Sequence, residues 1–422
     1  MLTISMLICV LSSCRFSGKG DTESDSLDRE DTSQTTNDQL TQSDEPQTNP
    51  STPSTEEGDW ICRPESQQPV AGNKLQESED ADLSWGPIQQ GSSSYTYDLK
   101  ENMDYIKIYG RSETVSVGIA CDHIASGIEF NADVVGTIKL KANSNAKLFY
   151  AVYIDGVLQD YRLQLEAGTN EYVVAKSLPK GVHNIKLINQ TGVAFGRSEL
   201  ISISMLGILK DAPADAEYLI EFVGDSITSG YGLADTSARP DHFDSTKSYA
   251  YQTAQLLHAD HSMVAVTGWA ILPADANDPI KGCVPAIYDK YCPWGRGDVA
   301  YEPERCADVV VINLGTNDIN TRENYDTDFV DAAIEFALKV RQTHGNIPVI
   351  WAYGQMITGD ALTVLEGKLG AIMDALGGEQ NGYYTVKLMY DQNGLHGHPS
   401  VEAEKQSAQI LTDFILGKNL LK

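Results

Sequence analysis

From residue 218 to residue 416, apolar runs of strand length alternate with amphipathic stretches of helix length, and no other feature of the chain constrains its fold as strongly. The strands expected are 218–223, 262–266, 308–314, 347–353 and 383–389, and the helices 248–258, 328–344, 361–376 and 400–416. Parallel strands need crossover connections, and right-handed crossovers dominate, so this repetition predicts an α/β domain with a doubly wound, five-stranded parallel sheet. Ligands of such sheets bind beyond the carboxyl ends of the strands. Motifs at those ends are therefore where chemistry is to be sought.

The chain has 422 residues, 41% of them hydrophobic, whereas a single core stops growing at roughly 250 to 300 residues. Two folded domains are expected, over 81–212 and 213–422. In the first, period-two runs at 128–130, 136–140, 148–154, 172–174 and 183–188 point to antiparallel strands in an all-β, jelly-roll-like sandwich of two sheets. Asp155-Gly156 between two runs is a hairpin signal. His123 and His183 stand alone and read as structural histidines. This domain carries no catalytic constellation and is read as a packing partner or a wall of a cleft.

Residues 15–80 read as a flexible acidic linker, because between residues 21 and 59 Asp, Glu, Ser, Thr, Gln and Pro dominate and large apolar residues are nearly absent. The formal charge of −28 argues against a nucleic-acid partner, whose binding rests on Lys and Arg displacing counterions. Residues 1–11 form an apolar run ending at Leu11-Ser12-Ser13-Cys14, which resembles a bacterial lipoprotein signal, with an ordinary secretory signal as the alternative. The resemblance implies lipidation of Cys14, a surface or periplasmic location, and membrane contact only through that anchor. Cys283, Cys292 and Cys306 fall in one loop-like stretch, where a disulfide and buried thiols are both open. No C-x-x-C pair suggests zinc.

Four motifs lie at strand ends in the second domain. Gly224-Asp225-Ser226 follows the first strand and precedes a candidate helix start, whose N–H groups would favour a hydroxyl nucleophile there. Thr267-Gly268-Trp269 follows the second, where a glycine lets a backbone N–H approach a reacting oxygen. Gly315-Thr316-Asn317-Asp318 follows the third, and an Asn amide suits an oxyanion that forms only in the transition state. His396-Gly397-His398-Pro399 follows the fifth, where a histidine can take and return a proton. Pro399 suits the first turn of the next helix. Each motif alone is a common turn or cap, whereas all four on one edge in this order are far more specific.

Together, Gly224-Asp225-Ser226, Gly268, Gly315-Thr316-Asn317-Asp318 and His398-Pro399 resemble the sequence blocks of SGNH (GDSL-type) hydrolases, from about residue 214 to the end. With a sandwich preceding it, the layout resembles carbohydrate esterase family two, whose members deacetylate plant polysaccharides. The resemblance implies a flavodoxin-like hydrolase domain, Ser226 as nucleophile and His398 as base. It also implies an oxyanion hole from the Ser226 and Gly268 N–H groups and the Asn317 side chain, and no cofactor or metal. The position three before His398, usually Asp in these enzymes, is Leu395. A Ser–His dyad is therefore expected, with the ring held by a backbone carbonyl or by a carboxylate such as Asp391.

The expected activity is serine ester hydrolysis, removing acetyl groups from xylan, mannan or derived oligosaccharides. A glycan-binding lipoprotein with an inactive hydrolase domain, or a lipase or thioesterase of the GDSL type, is the alternative. Tyr231, Trp269, Trp294 and Trp351 are candidates to stack on sugar faces, with core or loop packing as the competing reading. Lipidation at Cys14 is checked by feeding labelled palmitate to expressing cells. The label should enter the wild-type protein and be lost from Cys14→Ser, and equal labelling of both would reject the anchor.

Overall fold

The computed structural model describes residues 94–234, 242–292 and 299–422. Cys14 and the N-terminal apolar run, the acidic linker, the first residues of the expected sandwich domain, and Trp294 lie outside the described residues.

The β domain comprises β1 (Tyr95–Asp98), β2 (Ile106–Tyr109), β3 (Glu113–Val115), β4 (Gly118–Ala120), β5 (Gly127–Ser144), β6 (Leu148–Ile154), β7 (Val157–Leu165), β8 (Gly168–Asn189) and β9 (Ser198–Leu209). The runs 128–130 and 136–140, expected as two strands, are both parts of β5. In the same way 172–174 and 183–188 both belong to β8. Register shifts between Val134 and Lys139 let β5 bend without ending, because a bulge adds twist while pairing resumes beyond it. The expected pair of sheets is consequently one hydrogen-bonded sheet in the order β3-β4-β9-β5-β8-β6-β7, with β1 on β9 and β2 on β5. It forms a half-barrel around Phe130, Leu140, Tyr150, Leu187 and Ile203. Asp155 and Gly156 join β6 to β7 with φ of +52° and +77°, the backbone that a two-residue hairpin turn requires. His183 is held by Asp155 Oδ2 at 2.8 Å and the Pro179 carbonyl at 3.0 Å.

The second sheet contains β10 (Leu219–Gly224), β11 (Asp260–Ala265), β12 (Val309–Asn313), β13 (Val349–Tyr353) and β14 (Tyr383–Lys387), all parallel, in the order β11-β10-β12-β13-β14. This is the flavodoxin-like order, with its switch point beside the first strand. The helices are α1 (Tyr249–Leu256), α2 (Thr316–Thr321), α3 (Tyr325–His344), α4 (Gly359–Leu376) and α5 (Val401–Gly417). On one face Ile220, Phe222, Val309, Val311 and Ile350 share a core with Ala250 and Ala254 of α1 and with Ala408, Leu411 and Ile415 of α5. On the other, Val223, Val310, Ile312 and Trp351 meet Phe329 and Phe336 of α3 and Leu365, Leu369 and Ile372 of α4. Strands covered on both faces explain why their sequences are continuous apolar runs rather than alternating ones.

The two domains share a core, since Tyr109, Ile124, Tyr153 and Ile188 of the β domain join the first of these clusters. A charged pair crosses the same boundary. Arg111 reaches Glu221 in the middle of β10 at 3.0 and 3.1 Å, with both side chains essentially inaccessible. Ser262, Tyr288 and His344 donate to the remaining lone pairs of Glu221 at 3.0, 2.6 and 3.1 Å. The His344 tautomer follows from the Ala307 N–H, which occupies its Nδ1. The Arg111 guanidinium also lies 3.9 Å from the Tyr301 ring centroid.

Burial alone would raise the Glu221 pKa, but Arg111, then His344 and Tyr288, outweigh it and hold the carboxyl below the usual range. A depressed folded value contributes stability above the ordinary glutamate range that is lost as pH falls through the folded value. Arg111→Met, which strands the carboxylate, is expected to cost about 3–5 kcal/mol at neutral pH. The deficit should shrink at pH 5, where the unpaired carboxyl takes up a proton. Urea denaturation at the two pH values checks this, and a deficit independent of pH would contradict it.

Candidate active site

Strand β10 delivers Ser226 to the carboxyl edge of the sheet. The Asp225 carboxylate accepts the Ile227 N–H at 3.0 Å, and the chain turns back so that the N–H groups of Ser229 and Tyr231 reach the carbonyls of Asp225 and Ser226, both at 3.0 Å. The helix expected after Ser226 does not form. Gly230 and Gly232 have φ of +73° and +81°, which turns the chain out of the helical path, and the next helix is α1. The Ser226 hydroxyl is therefore presented by a tight turn and not by a helix dipole.

Between β14 and α5 the chain makes a short 3-10 turn over Leu395–Gly397, and His398 follows it. His398 Nε2 lies 2.8 Å from Ser226 Oγ, and Nδ1 lies 3.2 Å from the Leu395 carbonyl. A carbonyl can only accept, so Nδ1 carries the proton and Nε2 is left with a lone pair facing the hydroxyl. Burial pushes the ring pKa down to about 4, against the raising effect of the Leu395 and His396 backbone, and His396 and His242 lower it further. The ring is accordingly neutral at pH 7. Asp391, the carboxylate considered as an orienter, does not touch the ring. Its oxygens take the N–H groups of Ser400 at 2.8 Å and Asn393 at 3.2 Å, so it braces both ends of the loop. Ser400 is the N-cap of α5, which puts Pro399 before the cap and not in the first turn.

Gly268 is exposed, with φ of +78° and open space where a Cβ would stand. Among the described residues no protein acceptor takes the N–H of Gly268 or of Ser226. Asn317 is different. Its Nδ2 donates to Asp225 Oδ2 and to the Trp269 carbonyl, both at 2.9 Å. Both amide hydrogens are thus engaged in this arrangement, and a new acceptor has to displace one of those partners.

Helix α2 was not anticipated, yet it organises this edge. Asp318 accepts the N–H groups of Ile271 and Leu272 at 3.1 and 2.8 Å, while Arg322 donates to the carbonyls of Leu272 and Gly282 at 3.0 and 3.2 Å. Asn317 and Asp318 of α2, with Arg322 just past its end, thus hold the segment that carries Gly268 and Trp269. Burial raises the Asp318 carboxyl to about 6 and the Asp225 carboxyl to about 7. Deeper in the fold, Glu404 accepts the Tyr249 N–H at 2.5 Å and is raised to about 8 by burial. Gln355 bridges it to Asn313 at 3.2 and 2.8 Å. Asp225 and Asp318 belong to motifs visible in the sequence, whereas Glu404, Gln355 and Asn313 have no local signature beyond, for Asn313, a polar residue closing the apolar run of β12.

Of the aromatic candidates, Trp269 is partly exposed on the edge. Tyr231 is 4% exposed and Trp351 is 1% exposed, so neither offers a free face to a sugar. Trp351 bonds the Leu314 carbonyl at 2.8 Å within the core. Cys283 is a buried thiol whose Sγ donates to the Ile271 carbonyl at 3.1 Å, and Cys306 is an exposed thiol, so neither is part of a bridge. Among the described residues no group of three or more His, Cys, Asp or Glu side chains is arranged to hold a metal ion.

Residues 222–385 match the GDSL-like Lipase/Acylhydrolase family, and residues 108–213 match the Carbohydrate esterase 2 N-terminal family. The chain is 29% identical over 321 residues to a cellulase/esterase of Acetivibrio thermocellus, covering 71% of this chain and 38% of that protein, so it spans well under half of that relative. It is 26% identical over 276 residues to an acetylxylan esterase / glucomannan deacetylase of Cellvibrio japonicus, covering 60% of this chain and 73% of that one. A solved family two carbohydrate esterase from Clostridium thermocellum in complex with cellohexaose superposes with a TM-score of 0.68 at 26% identity, covering 74% of this chain and 99% of the other.

Asp318→Ala removes the only acceptor seen among the described residues for the buried N–H groups of Ile271 and Leu272, an expected cost of about 1–3 kcal/mol for each donor left unmet. The melting temperature should fall and amide exchange should quicken in residues 267–283. Exchange confined to wild-type rates there would show that the segment holds itself.

Proposed function

We propose, from the premise that this chain joins a GDSL-like lipase/acylhydrolase domain to a carbohydrate esterase 2 N-terminal domain, that it is a serine esterase that removes acetyl groups from a plant polysaccharide. The observation that carries the reading is the 2.8 Å contact of His398 Nε2 with Ser226 Oγ, with the other ring nitrogen 3.2 Å from a carbonyl. That tautomer leaves a base facing the hydroxyl.

As Ser226 Oγ bonds to the acetyl carbonyl carbon, its proton passes to His398 Nε2 and the carbonyl π pair moves to oxygen. The uncommitted N–H groups of Ser226 and Gly268 stabilise that oxyanion, and Asn317 adds a donor by giving up its bond to the Trp269 carbonyl. Collapse breaks the bond to the sugar oxygen, which takes the proton from Nε2. Water then repeats the sequence on the acyl-serine, releasing acetate and restoring the hydroxyl. A dyad suffices where packing and a backbone carbonyl already fix the ring, since an orienting carboxylate acts through geometry and tautomer.

Xylan and mannan are the substrate classes favoured, on the strength of the relatives and of the exposed edge at Gly268 and Trp269. Export, with Cys14 as a lipid anchor, belongs to the same proposal and rests on residues 1–14 alone.

Acetate release from acetylated xylan and glucomannan tests the reading. Ser226→Ala and His398→Ala should each lower kcat by at least roughly 10³-fold with the fold intact. Protonation of Nε2 removes the base, so the acid limb of the wild-type pH profile should fall near pH 4, the depressed value of His398, and not near the usual imidazole value. Turnover that survives in the serine variant, or glycan retention with no acetate released by the wild type, would reject the esterase.

A further inference from the structure

Among the described residues no carboxylate bonds His398, and apart from Ser226 the only hydrogen bond seen to its ring is that of Nδ1 with the Leu395 carbonyl at 3.2 Å. The structure supplies a second restraint from the nucleophile's own turn. The Tyr231 ring lies against the His398 ring, with centroids 4.4 Å apart and planes inclined by 38°. The Tyr231 hydroxyl lies 2.7 Å from Nδ1 of His396, a residue held at φ of +54° within the loop that carries His398. The Tyr231 N–H bonds the Ser226 carbonyl at 3.0 Å, which fixes the tyrosine to the nucleophile. Behind it, His242 and Phe243 pack edge-on at centroid distances of 4.5 and 5.2 Å. The next residue, Gly232, sits so close to the histidine loop that a Cβ there would meet Leu395 Cβ at 2.9 Å. Leu395 is the residue whose carbonyl bonds His398.

We propose that Tyr231 is a positioning residue for His398, its ring setting the imidazole plane and its hydroxyl, through His396, fixing the loop in place of the missing carboxylate. The inference rests on the esterase reading and goes beyond it. Tyr231 acts through the His398 ring that it packs against. It acts by holding the base in line with Ser226 Oγ, where a displacement of about 1 Å costs on the order of 10²-fold in rate.

The test uses the full chain with two probes: turnover of p-nitrophenyl acetate, and the rate at which diisopropyl fluorophosphate modifies Ser226. Tyr231→Phe and His396→Ala should each lower kcat by about 3- to 10-fold with KM unchanged. The double variant should lose no more than either single one, because both remove the same bond. Tyr231→Leu, which also removes the ring, should lower kcat by about 10²-fold, and labelling of Ser226 should slow in step. Losses that multiply in the double variant, a raised KM with unchanged kcat, or wild-type rates in all variants would overturn the proposal. Should Tyr231→Leu unfold, the Phe and Ala pair decides alone. If the wild type is labelled at Ser226 without hydrolysing the ester, the esterase reading fails, and the labelling rates still decide the role of Tyr231.

Discussion

One buried carboxylate ties the fold together. Glu221 sits in β10 between Ile220 and Phe222, where a charge with no partner would be expelled. Its oxygens are satisfied by side chains from four separate places: Arg111 of the β domain, Ser262 of β11, Tyr288 of the long connection before β12, and His344 at the end of α3. Such a pair adds little net stability over apolar packing, but removing either partner is strongly destabilising. Its effect is to allow one arrangement of the pieces around the strand whose far end bears Ser226. The β domain is thereby locked to the parallel sheet through charge as well as through the shared apolar core.

The same strategy recurs at the carboxyl edge, where each bond has a backbone group as one partner. The Leu395 carbonyl holds His398, the Asp318 carboxylate holds two amides of the Gly268 segment, and Asp391 braces the loop before α5. Burial acts on the titratable groups in one direction, disfavouring charge. It lowers His398 to about 4 and raises Asp225 to about 7 and Glu404 to about 8. A neutral imidazole beside a hydroxyl, over partly neutral acids, suits chemistry in which negative charge appears only on the reacting carbonyl oxygen.

Much of this was legible in the chain. The expected strands fall within two residues of β10 to β14 at either end, and 328–344 lies inside α3, because apolar runs flanked by glycine and polar turns report burial on both faces directly. The half-barrel was less legible. Bulges in β5 appear in the sequence as breaks, and only pairing with β8 shows that the strand continues. Helix α2 is not legible as a helix because six residues carry too little periodicity, and its importance lies in Asn317 and Asp318, with Arg322 just past its end, which meet a segment distant in the chain. The aromatic candidates also looked alike in sequence, although Trp351 is core, Tyr231 is wedged behind a histidine and Trp269 is partly open to solvent.

By itself, the sequence determined the strand order's raw material, the four strand-end motifs and the absence of an aspartate three residues before His398, since each is a matter of local residue type and spacing. Tertiary structure alone decided that the Leu395 carbonyl meets Nδ1 of His398, which donors at the edge have no acceptor among the described residues, and that Asn317 is already engaged. Those outcomes depend on distances of about 3 Å between residues far apart in the chain, and hydrogen bonds at that range are set by packing, not by pattern.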